Sequence, residues 1–298
     1  MKIGYNEATA MNCSSLEQDL ILCEENGFDY IEIRLDMLHD YLTHHTVDDL
    51  VRFFKTHRIK PHALNALYTS PDYFDGANSQ QEQALTHEFI WGCQIAQQIG
   101  CEYFIIVPPL QRDPNGGPFI GSWGNNCRNA VRILTHLADI AKPYDIKLCF
   151  ELVGFDRSSV RTVEQAWEVV TKVNKDNVGL VLDSYNLYLY QRLNDFSVIK
   201  HVDVNKIFAV HINNGDDAPD HQLSQALRRF CDHGVVNLNS FLTNLKEMGY
   251  QGMVSIETFR PEYWQKTPQW VIAQAYKTTK QIMVDCGVFH DESKRIDA

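Results

Sequence analysis

The chain lacks several features that would have decided its class at once. No Cys-x-x-Cys pair occurs among its eight cysteines, at positions 13, 23, 93, 101, 127, 149, 231 and 286. A zinc knuckle or a dense disulfide frame is therefore a poor reading, and thiols scattered through helix and strand patterns fit a reducing compartment. No apolar run approaches the roughly 20 residues that a membrane helix needs, and MKIGYNEATA at the start has no signal-peptide core. Neither a G-x-G-x-x-G run nor a P-loop is present, so a nucleotide-binding open sheet has no direct support. A dense Lys/Arg cluster is missing too. The balance of 27 basic against 38 acidic residues leaves a formal charge of −11, which repels phosphate backbones and makes nucleic acid a poor partner. Linkers, repeat arrays and low-complexity tracts are likewise not seen, and 298 residues with 44% hydrophobic content are enough for one large core.

What is there is a regular alternation. Eight β-rich runs recur at 2–6, 29–34, 59–66, 102–107, 146–152, 178–183, 206–212 and 252–258. Between them lie helical patterns that include 16–27, 47–58, 84–100, 129–144, 162–173 and 238–249, with Gly27, Gly100 and Gly249 where a helix end wants a left-handed residue. Eight strands alternating with helices predict a single (β/α)8 TIM barrel over residues 1–298, with 291–298 as a frayed tail. A doubly wound sheet is the runner-up.

Barrel chemistry sits where strands end. The last four strands end on Glu151, Asp183, His211 and Glu257. The period-2 rule puts Cys149, Val181, Ala209 and Ser255 on their face, and bulky residues such as Phe150, Leu182, Val210 and Ile256 on the other. The smaller face would line the barrel and the bulky one would pack on helices. Three carboxylates and an imidazole on neighbouring strands, about 4.8 Å apart per step, call for a compensating cation. Such a set suits Mn²⁺, Mg²⁺, Co²⁺ or Zn²⁺ and does not select among them. Taken singly, an acidic residue at a strand end is more often a helix cap or a surface charge; the in-phase set of four favours one divalent metal site. Glu32 and Arg34 share a face and are expected to pair with each other; Asn6 suits a loop as well as a ligand; His62 beside Pro61 reads as packing. The acidic loop 211–222 argues against a phosphate grip.

These residues resemble a known group. YNEAT (5–9), YIEIR (30–34), IKPHALNAL (59–67), DNVGLVLDS (176–184), IFAVHI (207–212) and LKEMGYQGMVSIETFRPEYW (245–264) are similar to the xylose-isomerase-like barrels, and among them to the 2-keto-myo-inositol (inosose) isomerases. The resemblance implies a metal-dependent isomerase of carbohydrate metabolism that takes a small polyol or keto-sugar; the cytoplasmic location is read from the scattered thiols. It would move a carbonyl between adjacent carbons through an enediolate, most simply 2-keto-myo-inositol to 1-keto-D-chiro-inositol. It implies Glu151, Asp183, His211 and Glu257 as metal ligands, Glu151 and Glu257 also as the acid/base pair, and Arg228 as a substrate contact. It carries no expectation of nucleic-acid or membrane partners, and it leaves a homo-oligomer open. The chain departs from the family pattern at Asn186 (usually His), Asn213 (usually Asp) and Cys231-Asp232 (usually Pro-Gly). Asn186 is expected to orient substrate, since an amide hydrogen-bonds but does not titrate. The alternatives at the same site are an inosose dehydratase and a ketose 3-epimerase. A non-catalytic sugar-binding barrel and a DNA-repair endonuclease are weaker readings, the last because of the acidic charge.

Overall fold

The computed structural model describes residues 1–70, 79–111, 117–192 and 194–289; the expected frayed tail at 291–298 lies outside them. Eight parallel strands close into a barrel. They are β1 (Lys2–Asn6), β2 (Tyr30–Arg34), β3 (Lys60–Tyr68), β4 (Tyr103–Val107), β5 (Lys147–Glu151), β6 (Val178–Asp183), β7 (Ile207–Ile212) and β10 (Met253–Ile256). A short antiparallel ribbon, β8 (Asn214–Gly215) with β9 (Arg228–Arg229), follows β7. The helices are α1 (Leu16–Asn26), α2 (Leu35–Tyr41), α3 (Val47–Thr56), α4 (Ser79–Ile99), α5 (Trp123–Ala141), α6 (Val163–Val173), α7 (Ser184–Gln191), α8 (Leu238–Glu247) and α9 (Pro268–Asp285). Every strand expected from sequence is present. Three helices lie outside the runs named from sequence: α9, and the short α2 and α7, each of which starts directly on the end of a strand and is too brief to show a 3.6-residue period.

Capping explains most helix starts. Ser15, Thr46, Ser122, Thr162, Asp183, Asn237 and Thr267 each accept a hydrogen bond from a backbone N–H of the first turn. Gly27, Gly100 and Gly249 take positive φ, at 100°, 77° and 83°, where a side chain would be strained.

Two apolar zones form, as the alternation requires. The inner one joins Ala63, Ile105, Val107, Cys149, Val153, Val181, Ala209 and Met253 inside the barrel. The outer and larger one, which includes Leu148, Phe150, Leu180, Leu182, Val210, Val254 and Ile256, packs strands on helices. All eight cysteines are free thiols. Among the described residues no helix is long and apolar enough to cross a membrane.

Candidate active site

The C-terminal ends of β5, β6 and β7 and the residue after β10 bring Glu151, Asp183, His211 and Glu257 together. Each offers one ligand atom, and these atoms all lie within 4.8 Å of one another. Register accounts for this: β6 and β7 pair Asp183 with His211, and β7 and β10 pair His211 with Ser255, two residues before Glu257. All four side chains are buried.

Asp183 uses its oxygens for different tasks. Oδ1 accepts from the backbone N–H of Asn186 at 2.7 Å and caps α7. Oδ2 accepts from Asn213 Nδ2 at 2.9 Å and from Arg228 Nη1 at 2.7 Å. The ordinary expectation for an acid at a strand end, a helix cap, is thus met along with membership of the cluster.

Arg228 reaches the cluster because the β8–β9 ribbon folds the long loop after β7 back over the mouth, pairing Gly215 with Arg228. Its side chain is 1% exposed. Nη1 also donates to Glu257 Oε2 at 2.8 Å, and the guanidinium lies 5.7 Å from the Tyr185 ring centroid and 5.3 Å from that of Phe259. Asn186 is equally enclosed: Nδ2 donates to Glu151 Oε1 at 3.3 Å, and Oδ1 accepts from Gln225 Nε2 at 3.4 Å. Two of the departures from the family pattern, Asn186 and Asn213, therefore touch the cluster. The third does not bear on it in the same way: Cys231 packs with its Sγ 3.7 Å from Thr279 Oγ1 of α9, and Asp232 pairs with His233 at 3.0 Å.

Glu32 corrects the sequence reading. It does not pair with Arg34. Its carboxylate lies inside the barrel, 3.0 and 3.2 Å from His211 Nε2, and accepts from Asn6 Nδ2 at 2.9 Å. Arg34 sits nearer the rim and makes a two-pronged bond to Asp36, at 2.9 and 2.7 Å. The two share a strand face, but they occupy different layers of the barrel. A signal was present: an acid between Ile31 and Ile33, in phase with the barrel interior. Asn6 proves to hold both turn and site. Oδ1 accepts from the Ala8 N–H at 3.0 Å, while Nδ2 donates to Glu257 Oε1 at 2.9 Å as well as to Glu32. Asn65 Nδ2 adds a further bond to Glu257 Oε1 at 3.2 Å, a partner that sequence reasoning missed. His62 packs as expected, stacked on Tyr103 at 4.7 Å and edge-on to Tyr30 at 5.5 Å.

Electrostatics separates the acids. Burial pushes the Glu151 carboxyl up to about 7, with Glu257 and Asp183 adding to the rise and His211 opposing it. At Glu257 burial also acts upward, but His211 and Arg228 outweigh it and hold the group below its ordinary value. Glu32 is likewise held low, since His211 and His62 overcome its burial. His211 is raised despite burial because Glu32, Glu257 and Glu151 surround it. Beside Asn65 a groove of about 360 Å³ opens, lined by Arg34, Asp36, Tyr68 and Glu88. A larger cavity of about 1050 Å³ lies at the opposite end of the strands, around Lys2, Lys60, His62 and Lys147, and is not lined by any of the four clustered residues. The chemistry sits with the carboxylates, so size alone misleads here.

The donor set suits a divalent cation. Among the described residues four carboxylates, of Glu32, Glu151, Asp183 and Glu257, face one guanidinium and one imidazole. His211 Nδ1 is buried without a hydrogen bond, 3.4 Å from both Glu151 Oε1 and Glu257 Oε2. Excess negative charge and an orphaned ring nitrogen directed at it are what an ion would satisfy.

Known proteins match most of this chain. A model of the xylose isomerase-like TIM barrel family matches residues 20–274. The inosose isomerase of Halalkalibacterium halodurans is 38% identical over 284 residues, covering 95% of this chain and 96% of that protein. The inosose isomerase of Bacillus subtilis is 39% identical, covering 95% and 98%. A crystal structure of the IOLI protein with a binding zinc atom superposes with a TM-score of 0.87 at 38% identity, covering 96% of this chain and 99% of that one. By its closed parallel barrel, its clustered acids and these matches, the chain belongs to the xylose isomerase-like TIM barrel family.

Proposed function

We propose that this protein is an inosose isomerase that moves a ketone to the neighbouring carbon of a cyclic polyol. The carrying observation is the buried cluster of Glu151, Asp183, His211 and Glu257 at the barrel mouth, in a chain that matches inosose isomerases over 95% of its length. Those four residues would hold one divalent ion. When bound, the ion supplies Lewis acidity at the ketone and its neighbouring hydroxyl.

Glu151 and Glu257 are the acid/base pair. One takes the proton from the hydroxyl-bearing carbon next to the ketone, and the other delivers a proton to the former carbonyl carbon. A proton also passes from the old hydroxyl to the old ketone oxygen, so the reaction is an internal oxidation–reduction with no external donor. The two glutamates stand on strands on either side of Asp183 and His211, which suits attack from separate positions around a ring. Asn6, Asn65 and Arg228 donate to Glu257, whereas Asn186 donates to Glu151. Glu257 is thus the more firmly positioned carboxylate. Arg228 and Asn186 are the groups that meet substrate hydroxyls. Free thiols throughout the chain fit a cytoplasmic enzyme.

Products formed from 2-keto-myo-inositol in D₂O, read by NMR, test this. The isomerase places deuterium on the former carbonyl carbon and a ketone beside it. Deuterium returned with inversion to the carbon that lost its proton, or loss of a β-hydroxyl, would replace isomerisation with epimerisation or dehydration. No exchange at the α-carbon would leave a binding protein.

A further inference from the structure

We propose that Glu32 is a positioning residue that makes Nδ1 of His211 the metal-binding atom; this rests on the metal reading above. The ring of His211 lies between two groups of acids. On one side Glu32 presents both oxygens to Nε2, at 3.0 and 3.2 Å. On the other, Nδ1 is 3.4 Å from Glu151 Oε1 and Glu257 Oε2 and has no hydrogen bond. A carboxylate only accepts, so Glu32 holds a proton on Nε2; a cation would take the place of the proton that Glu151 and Glu257 draw to Nδ1, and the lone pair it meets is that of Nδ1.

Glu32 is itself fixed. The β1–β2 register sets Asn6 beside it, and Asn6 Nδ2 donates to Glu32 Oε2 at 2.9 Å. The same amide nitrogen donates to Glu257 Oε1 at 2.9 Å. One asparagine therefore ties the carboxylate that orients the imidazole to a carboxylate of the cluster. His62 closes the far side, its Nδ1 3.8 Å from Glu32 Oε1. With donors on every side, Glu32→Gln must turn an NH₂ toward either Asn6 or His211. An NH₂ toward His211 favours a bare Nε2 and a proton on Nδ1, where the ion is to bind.

The test uses protein labelled with ¹⁵N in its histidines and loaded with ¹¹³Cd²⁺, with His211→Gln to identify the His211 signals. Cadmium coupling is expected at His211 Nδ1, with Nε2 still protonated. In a separate chelator competition, Glu32→Gln should bind Zn²⁺ about 10- to 100-fold more weakly, the usual range for losing a partner behind a metal ligand. Coupling at Nε2 would overturn the proposal while leaving the metal site standing, as would unchanged zinc affinity in a folded Glu32→Gln protein. If wild-type protein takes up neither Zn²⁺ nor Cd²⁺, the metal reading falls and this proposal with it. The coupling measurement needs only wild-type and His211→Gln protein, so it decides even if Glu32→Gln fails to fold.

Discussion

Asp183 and Asn186 show how much depends on single atoms. Asp183 Oδ1 caps α7 while Oδ2 holds Asn213 and Arg228, so its replacement disturbs a helix start as well as the charge cluster. Glu257 separates the two effects better, because its carboxylate caps no helix. Glu257→Gln keeps shape and acceptor capacity at one oxygen but loses the charge. It should lower kcat by about 10²- to 10⁴-fold, the usual contribution of a positioned proton-transfer group, while retaining part of the metal content. Near-wild-type turnover would remove Glu257 from the acid/base pair. Asn186, read from sequence as a group that orients substrate, is also the donor to Glu151. The amide thus touches a proposed acid/base residue directly.

At the scale of elements, the loop after β5 is pressed against α7. A Cβ on Gly154 would stand 2.1 Å from the carbonyl oxygen of Asn186 and 3.0 Å from Leu189 Cβ. Backbone cannot yield as a flexible side chain does. Gly154→Ala should destabilise the fold by about 1–3 kcal/mol, as overpacking does, and should lower kcat/KM because α7 carries Asn186. A urea midpoint within error of wild type would show that the loop gives way instead. Behind β1, a second pair of acids is buried: Asp19 of α1 and Glu7, which follows β1. Burial raises both carboxyls, Asp19 to about 8 even though Ser14 Oγ donates to it. A carboxyl raised in the folded state binds more protons there than when unfolded. Its contribution is therefore greatest below about pH 4 and is lost as pH climbs toward 8. Asp19→Asn removes that loss, so the variant should gain on wild type in urea midpoint between pH 5 and pH 8. Parallel curves for the two proteins would rule out burial of a proton at Asp19.

For the whole molecule, the barrel brings acids together with partners that the chain keeps far from them. Asn6 and Glu257 are 251 positions apart, and Glu32 and His211 are 179 apart. An ion that binds only the assembled cluster must stabilise the entire fold. At 100 times its Kd, Zn²⁺ should add about 2.7 kcal/mol, seen as a rise of several degrees in Tm that a chelator reverses. A Tm indifferent to zinc and chelator would mean that the folded cluster does not hold the ion.

The sequence by itself determined the eight strands and the phase of the four clustered residues. Each of these is local: period-2 alternation decides a side chain's face from its immediate neighbours, as with Cys149 and Glu151 against Phe150. Only the tertiary structure decided which groups meet. Glu32 turned from an expected pairing with Arg34 to His211, because a strand pattern gives the face but not the layer, nor which strand lies across the lumen. Arg228 reached Asp183 and Glu257 through the fold-back of the β8–β9 ribbon, which a loop of irregular composition does not advertise. Asn6, Asn65 and Asn213 became donors to the acids for the same reason. A hydrogen bond depends on distance in space, and across these separations distance is set only when the barrel closes.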